Sequence, residues 1–553
     1  MKKMFRTVPM MILALMFMVS CGGSDKKPVT PDQPDTEAGD TDTDTDTDSG
    51  STNCGNRMVD EGEVCDGGAT DCTAVDAGYT GGIATCKADC TGWDTTGCSG
   101  TPSDPTNPTD PTNPTDPTNP TDPTDPTNPG PAGDIEFERI TADDNPYNPA
   151  FVTVDDLDED GHLDMIVCQY GPSTNLQMTG RIDIYWGTGD LANWTREELA
   201  TGTDIKFPHP VKVQDLNGDG VKDIVVPGGF LACAANPLSG GNCGTLFWLE
   251  GIAGQRNKWT RHDMITKNDH FFFDVSLVDI DGDGIDDILT NAELKTASLI
   301  GSGEQDEQLM WFKGTNTADR FETTPRVIAD GNGGPFPRFV DINGDGKKDI
   351  ALAQYFNDNI TTEGSFLWFE QTDDITDWKK HIIDNEAGTS FMMEIIDDLC
   401  GDGVRRAVGV NHVNTTDDPS GPQEGVFVFD IPADPTQKWP KKNIASGIQS
   451  RKSPMTGPQA APGLFGYGDI TGNGLTDLVV SGDGDSRVFW FEQTESCNFV
   501  QHTLDGVAGA SVNGSDSFGQ AGGMQIVDLD ADGKNEIVVT LYEDNKLYIY
   551  KVK

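Results

Sequence analysis

The stretch DLNGDGVKDIVV, residues 215–226, sets three carboxylates and an amide (Asp215, Asn217, Asp219 and Asp223) in nine residues and then turns at once into an apolar run. A single copy reads as a surface turn, because Asn, Asp and Gly accept tight backbone conformations. The stretch is not single. It recurs as DLDEDGHLD (156–164), DIDGDGIDD (279–287), DINGDGKKD (341–349), DLCGDGVRR (398–406), DITGNGLTD (469–477) and DLDADGKNE (528–536). The seven starts fall 57 to 71 residues apart, the spacing of a repeat architecture.

Each copy has the same neighbours. A short alternating strand precedes it (VKVQD, VSLVD) and an apolar run follows (DIVVPG, DILTN, DLVVSG). An aromatic strand comes next: IDIYWG, TLFWLEG, LMWFKG, FLWFEQ, VFVFD, VFWFEQ or LYIYK. A fourth, polar-alternating strand ends the unit, as in WTREELA, WTRHDMIT, WKKHIID, WPKKNIA and FVQHTLD. Four short strands per unit, repeated radially, make a propeller blade. The seventh unit stops at LYIYKVK without its fourth strand, while IEFERITAD (135–143) is a fourth strand without a unit. Pairing the two closes the ring and removes two exposed edges. The expected fold is all-β: a seven-bladed β-propeller with calcium-binding loops, preceded by a small disulfide-rich module and disordered linkers.

The loop and its repeat resemble FG-GAP/VCBS repeats, the units of integrin-α-like propellers and of many bacterial surface proteins, over about 420 residues. The chemistry of the loop points to calcium, which takes six to eight oxygens in flexible geometry. Positions 1, 3 and 5 converge, position 7 offers a carbonyl, position 9 a carboxylate, and Gly at position 6 permits the turn. The last carboxylate stands at 9 rather than 12 and leads into a strand, unlike an EF-hand.

Five copies carry a strong donor set: Asp156, Asp158, Asp160 and Asp164; Asp215, Asn217, Asp219 and Asp223; Asp279, Asp281, Asp283 and Asp287; Asp341, Asn343, Asp345 and Asp349; Asp528, Asp530, Asp532 and Glu536. The sixth, with Asp469, Asn473 and Asp477 around Thr471, is weaker. The fifth is expected to hold no ion, since Cys400 takes position 3 and Arg406 position 9, where the guanidinium can pair with Asp398 and Asp402. The competing readings are metal-free turns, disfavoured by the mutual repulsion of the carboxylates, and magnesium, which demands stricter octahedral geometry.

The rest of the 553 residues divides by composition. Residues 1–20 read as a signal peptide: Lys2, Lys3 and Arg6, then an apolar run too short to span a bilayer. MVSC (18–21) resembles the bacterial lipobox, which makes Cys21 the expected lipidation site; an ordinary secretory signal with a chance cysteine is the alternative. Residues 21–53 form an acidic tether expected to be disordered. Residues 54–98 hold six cysteines, which read as a disulfide framework rather than a zinc site in an exported chain. CGNRMVDEGEVCDGG resembles the start of a cysteine-rich repeat found in secreted myxobacterial and other proteins. Residues 99–133 are a Pro/Thr/Asp-rich spacer favouring polyproline II, and 134–553 are the propeller. The formal charge of −53 argues against nucleic acid as a partner. The expected location is the bacterial outer membrane, reached through the lipid anchor alone, with the chain a monomer.

Alternating chain direction puts the loops before each first strand, and between second and third strands, at the end opposite the Asp-rich turns. Tyr147, Phe207, His209, His270, Phe272 and Phe336 fall there and are the expected ligand face for a protein or a glycan. Packing between blades is the alternative for these aromatics. His262, His381 and His502 recur at one place in the fourth strand, which marks them as scaffold. Cys233 and Cys243 are expected to bridge within one loop, Cys400 and Cys497 to join adjacent blades, and Cys168 to be a buried thiol. No HExxH, GxSxG or P-loop motif is present, and no catalytic residue is nominated. The expected function is a non-enzymatic binding module. A carbohydrate-active enzyme, similar to the propellers of polysaccharide lyases and sugar dehydratases, is the alternative.

Overall fold

The computed structural model describes residues 69–71, 79–87, 93–96, 98–100, 135–171, 180–202, 205–229, 244–256, 258–267, 270–293, 307–355, 364–416, 419–453, 457–507 and 521–553. The expected signal peptide, Cys21, the tether, the spacer, the Cys233–Cys243 bridge and most of the cysteine-rich module lie outside these residues. The chain divides into two compact units, Gly22–Pro131 and one that includes Ala132–Lys553. In the smaller unit, Tyr79–Cys86 pairs with Ala69–Asp71, Trp93–Asp94 and Cys98–Gly100. Cys86 and Cys98 are each disulfide-bonded.

The larger unit is a propeller of seven four-stranded antiparallel blades. Blade 1 is Pro149–Asp155, Asp164–Gln169, Gly180–Trp186 and Thr195–Gly202. Blade 2 is Lys212–Gln214, Asp223–Gly228, Gly244–Gly251 and Trp259–Lys267. Blade 3 is Phe271–Val278, Asp287–Glu293, Gln308–Phe312 and Arg326–Asp330. Blade 4 is Arg338–Val340, Asp349–Ala353, Phe366–Gln371 and Trp378–Asp384. Blade 5 is Ser390–Ile396, Arg406–Asn411, Val426–Asp430 and Lys441–Asn443. Blade 6 is Phe465–Gly468, Asp477–Ser481, Arg487–Glu495 and Asn498–Gly506. Blade 7 is Ala521–Val527, Glu536–Leu541 and Lys546–Val552, completed by Phe137–Asp143. The closing register runs from Leu547 opposite Asp143 to Val552 opposite Phe137.

Second strands are buried on both faces, as blades stacked side by side require: Asp164–Gln169, Asp223–Gly228 and Glu536–Leu541 are buried at every residue. On the third strand, Trp248, Trp368 and Trp490 each stack on the fourth-strand His262, His381 or His502, with ring centroids 4.1, 4.4 and 4.6 Å apart. Each imidazole also meets a carboxylate, Glu250, Glu370 or Glu492, at 2.8, 2.9 and 3.1 Å. The recurrent histidines thus tie the two outer strands of a blade together.

Aromatic side chains meet on the axis. Phe273 of blade 3 touches Phe151 of blade 1 at 6.2 Å and Phe391 of blade 5 at 5.9 Å, contacts that skip a blade on either side. Below this plug, charges link blades 2 to 5: Lys212 lies 3.8 Å from Asp274, and Arg338 binds Asp274 at 3.3 Å and Glu394 at 2.5 Å.

Candidate metal centre

The Asp-rich turns join the first and second strands of each blade and share one construction. An apolar residue at position 2 (Leu157, Leu216, Ile280, Ile342, Leu399, Ile470, Leu529) is buried and anchors the turn to the core. The carboxylate at position 1 then gathers backbone N–H groups. Asp279 accepts from Gly282 at 2.8 Å, Asp283 at 3.1 Å and Gly284 at 2.9 Å, and Asp215 and Asp469 do the same in their own turns. Position 5 accepts from the N–H of position 7, as Asp283 does from Ile285 at 3.0 Å. The glycine at position 6 has φ between +74° and +91° in every copy, a conformation that side chains resist.

Position 9 is the first residue of the second strand and, Arg406 apart, is buried. Asp164 accepts from Leu157 N–H at 2.9 Å and Gly187 N–H at 2.8 Å; Asp223, Asp287, Asp349 and Asp477 are held by equivalent pairs. Burial pushes these five carboxyls up to about 6, against the opposing pull of their backbone donors. A carboxylate keeps lone pairs beyond two such bonds, so each is fixed in place and still able to accept a further donor or ligate a cation.

The donors converge. Oxygens of Asp156, Asp158 and Asp164 lie within 4.8 Å of one another, as do those of Asp279, Asp281 and Asp287, and of Asp528, Asp530 and Glu536. Asp158 Oδ1, Asp528 Oδ1 and Glu536 Oε1 are buried and have no hydrogen-bond partner. Hard oxygens, closely spaced and partly unsatisfied, suit a hard metal cation, which would neutralise the turn. In the second and fourth turns Asn217 and Asn343 hold position 3, each amide 3.3 Å from the position-5 carboxylate. In the sixth, Thr471 Oγ1 is buried without a partner and Asn473 Nδ2 donates to Gln493 O at 2.9 Å.

The fifth turn is filled by protein. Arg406 donates to both oxygens of Asp402 at 2.8 Å and to Asp430 at 2.9 Å, and it holds the Asp402 carboxyl down at about 2. Asp398 is not its partner; that carboxylate accepts from Gly403 N–H at 2.5 Å. Cys400 is in a disulfide with Cys497, Cα atoms 4.9 Å apart, which joins this turn to blade 6.

The residues nominated as a ligand face are placed differently from one another. Tyr147 is exposed, whereas Phe207, His209, His270, Phe272 and Phe336 are buried. The expectation of an open aromatic rim is therefore corrected for those five. Phe207 packs on Tyr170, which also stacks on His209, and Phe336 packs on Phe273 and Phe391, all within the plug. Phe272 packs on Phe312 of its own blade, within a cluster shared with Val225, Leu246 and Trp248 of blade 2. His209 is fixed at both nitrogens, Nδ1 2.9 Å from Phe273 O and Nε2 3.0 Å from the Tyr170 hydroxyl, and burial lowers its pKa to about 3. His412 lies 2.7 Å from Pro462 O and packs on Tyr355 and Phe391. Cys168 is a buried free thiol, 3.1 Å from His209 O.

Sequence reading missed the partners of the turns. Position 8 reaches the preceding blade: Asp286 meets Gln214 at 2.6 Å, Arg405 meets Asp341 O at 2.6 Å and Asn535 meets Asp469 O at 2.7 Å. These three turns thereby set the register between blades as well as within one.

No curated protein matches the chain. Solved structures resemble it at low identity. A lectin of Agrocybe aegerita described as recognising non-reducing terminal N-acetylglucosamine is 14% identical, with a TM-score of 0.37, covering 64% of this chain and 80% of its own. A rhamnogalacturonan lyase of Bacillus licheniformis is 14% identical, with a TM-score of 0.37 and coverage of 75% and 72%. Virginiamycin B lyase of Staphylococcus aureus is 12% identical, with a TM-score of 0.40 and coverage of 76% and 100%. The FG-GAP-like repeat family model matches residues 156–226 and 469–539, which contain the first, second, sixth and seventh turns. With its seven closed blades, each opened by one of these turns, the chain is a β-propeller of FG-GAP-like repeats.

Proposed function

We propose that the chain is a lipid-anchored, calcium-binding β-propeller displayed at the bacterial outer membrane, which recognises a protein or glycan ligand and does not turn it over. The observation that carries the metal half of this reading is the convergence of three carboxylates within 4.8 Å in each of three turns, two of which, the first and the seventh, hold buried oxygens without a hydrogen-bond partner. The ion's role is structural. It neutralises the turn and so steadies the blade-to-blade contacts made from position 8.

The opposite end of the propeller supports the ligand half. Tyr147 is 45% exposed there. Arg181 and Arg196 lie over its ring, 5.0 and 5.5 Å from the centroid. They are themselves held by Asp183, at 2.5 and 2.7 Å. A ring braced by cations and open to solvent can stack on a sugar or receive an apolar side chain. The lipobox-like MVSC and the proline-rich spacer add a means of display.

The test is a glycan and surface-protein binding screen of the full chain, with calcium and with EDTA, beside Tyr147→Ala. Retention of a ligand that weakens at least tenfold in Tyr147→Ala, with no product formed, supports the reading. Undiminished binding by Tyr147→Ala, or turnover of a retained glycan, overturns it.

A further inference from the structure

The register of each blade places one third-strand residue opposite position 9 of its turn. Extending the pairings Met165–Tyr185, Ile224–Leu249, Ile288–Phe312, Ile350–Phe369, Leu478–Phe491 and Ile537–Tyr550 by one step puts Trp186, Glu250, Lys313, Glu370, Glu492 and Lys551 there. This residue follows the charge at position 3. Where position 3 is neutral (Asn217, Asn343, Thr471), the strand supplies Glu250, Glu370 or Glu492. Where it is a carboxylate, Asp281 or Asp530, the strand supplies Lys313 or Lys551. The first turn obeys the same rule through its neighbour. Trp186 is uncharged, but Arg256 of blade 2 lies over its ring at 3.9 Å and meets Asp158 at 3.0 Å.

The lysines reach the carboxylates that an ion would use. Lys313 Nζ binds Asp281, and Asp283 at 2.6 Å. Lys551 Nζ binds Asp530, and Asp532 at 2.8 Å, with Glu536 at 3.7 Å. Acceptor capacity remains even so: Glu536 is fully buried, and its Oε1 and Asp528 Oδ1 have no hydrogen-bond partner.

We propose that Lys313 and Lys551 are tethered counter-ions that share the position-3 and position-5 carboxylates of the third and seventh turns with calcium, so that these turns stay folded when the ion leaves and bind it more weakly than the second and fourth. In those two turns Glu250 and Glu370 add negative charge where the lysines add positive. The proposal rests on the calcium reading above. Removing one positive charge from within about 5 Å of a divalent ion tightens its binding on the order of tenfold even at a water-like dielectric.

The test compares the full chain with Lys313→Gln, Lys551→Gln and the charge-keeping Lys313→Arg, by calcium titration calorimetry and by melting in EDTA and in calcium. In each Gln variant one class of calcium sites should tighten about tenfold. Its Tm should fall in EDTA but hold in calcium, while Lys313→Arg stays with the wild type. The converse change, Glu250→Lys, should weaken one class of sites. Gln variants that melt lower by the same amount in both conditions, with unaltered affinities, make the lysines structural only and overturn the proposal. A wild-type chain that binds no calcium overturns the calcium reading and this proposal together; calcium binding with superimposable variant isotherms overturns this proposal alone.

Discussion

Ile549 in the last strand of the chain sits directly opposite Ile140 in the first strand of the propeller unit. The pair belongs to the contact that turns a row of seven blades into a ring. Ile549 is fully buried and Ile140 packs against the same cluster. Ile549→Ala should cost about 2–5 kcal/mol of stability, the range for a buried large-to-small change. In a double-mutant cycle with Ile140→Ala, urea unfolding should show a coupling of about 0.5 kcal/mol or more. Strictly additive losses would mean that the two strands are not partners in solution.

Much of the ring was legible in the chain because the turn is punctuated by residue type. Glycine at position 6 is needed for a left-handed φ, and an apolar position 2 is needed as an anchor, so the repeat stands out by eye. Closure followed from a strand missing at one end and spare at the other. The ligand face was less legible. In a propeller both faces of a blade are covered by neighbouring blades, so Phe272 and Phe336 carry no sequence mark that separates rim from interior. The charge rule linking Asp281 to Lys313 was hidden for another reason: the two residues lie 32 positions apart and become neighbours only through strand register. The fourth strand of blade 3, Arg326–Asp330, lacks the leading aromatic that marks most of the others, so its sequence does not announce it.

His209 should make the propeller acid-sensitive. Its folded pKa is depressed from the ordinary 6.5 to about 3 by burial, so between those values the unfolded chain binds the extra proton. The stability it contributes is complete above pH 6.5 and is lost as pH falls through that window. At pH 4.5 the loss is at most about 2.7 kcal/mol. His209→Gln retains a donor and an acceptor but cannot titrate there. Unfolding free energies of the two proteins in saturating calcium should converge as pH falls from 7 to 4.5; parallel curves would show that His209 is solvated or charged in the folded state.

The Cys400–Cys497 bridge closes 97 residues of chain. A loop of that length corresponds to about 4–5 kcal/mol in the chain-entropy description. The double change Cys400→Ser and Cys497→Ser should therefore lower unfolding stability by about 2–5 kcal/mol. It should leave the number of bound calcium ions unchanged, because Arg406 already fills the fifth turn with its pairs to Asp402 and Asp430. A calorimetric stoichiometry that drops by one would place an ion in that turn.

Two glycines separate backbone conformation from packing. Gly284, at φ +85°, has no atom within 4 Å of the point where a Cβ would stand, so Gly284→Ala meets only the conformational cost of a left-handed residue, about 1–2 kcal/mol. At Gly187 an added Cβ would stand 2.1 Å from Leu163 O, against backbone that cannot turn aside. Gly187→Ala should cost well over twice as much in urea unfolding, and equal losses would show that the third-strand end of blade 1 is looser than its contacts imply.

Chelation should act on the whole ring rather than on single turns. Each strong turn holds three or four carboxylates, and the buried Asp164, Asp223, Asp287 and Asp349 at position 9 already sit at about 6 for want of solvent. At pH 7.5 they are charged, and only a cation offsets the repulsion in the second and fourth turns, which have no lysine of their own on the third strand. Because position 8 of the third, fifth and seventh turns grips the preceding blade, and Lys222 of the second lies 3.5 Å from Asp155 of blade 1, loosened turns weaken the blade junctions on that end. The full chain should melt several degrees lower in EDTA than in millimolar calcium, with added calcium restoring the difference. Hydrogen exchange should show the losses concentrated at 215–223 and 341–349 and smaller at 279–287 and 528–536. Uniform loss across all four would mean that the lysines give no protection, and no loss at all would remove calcium from the fold.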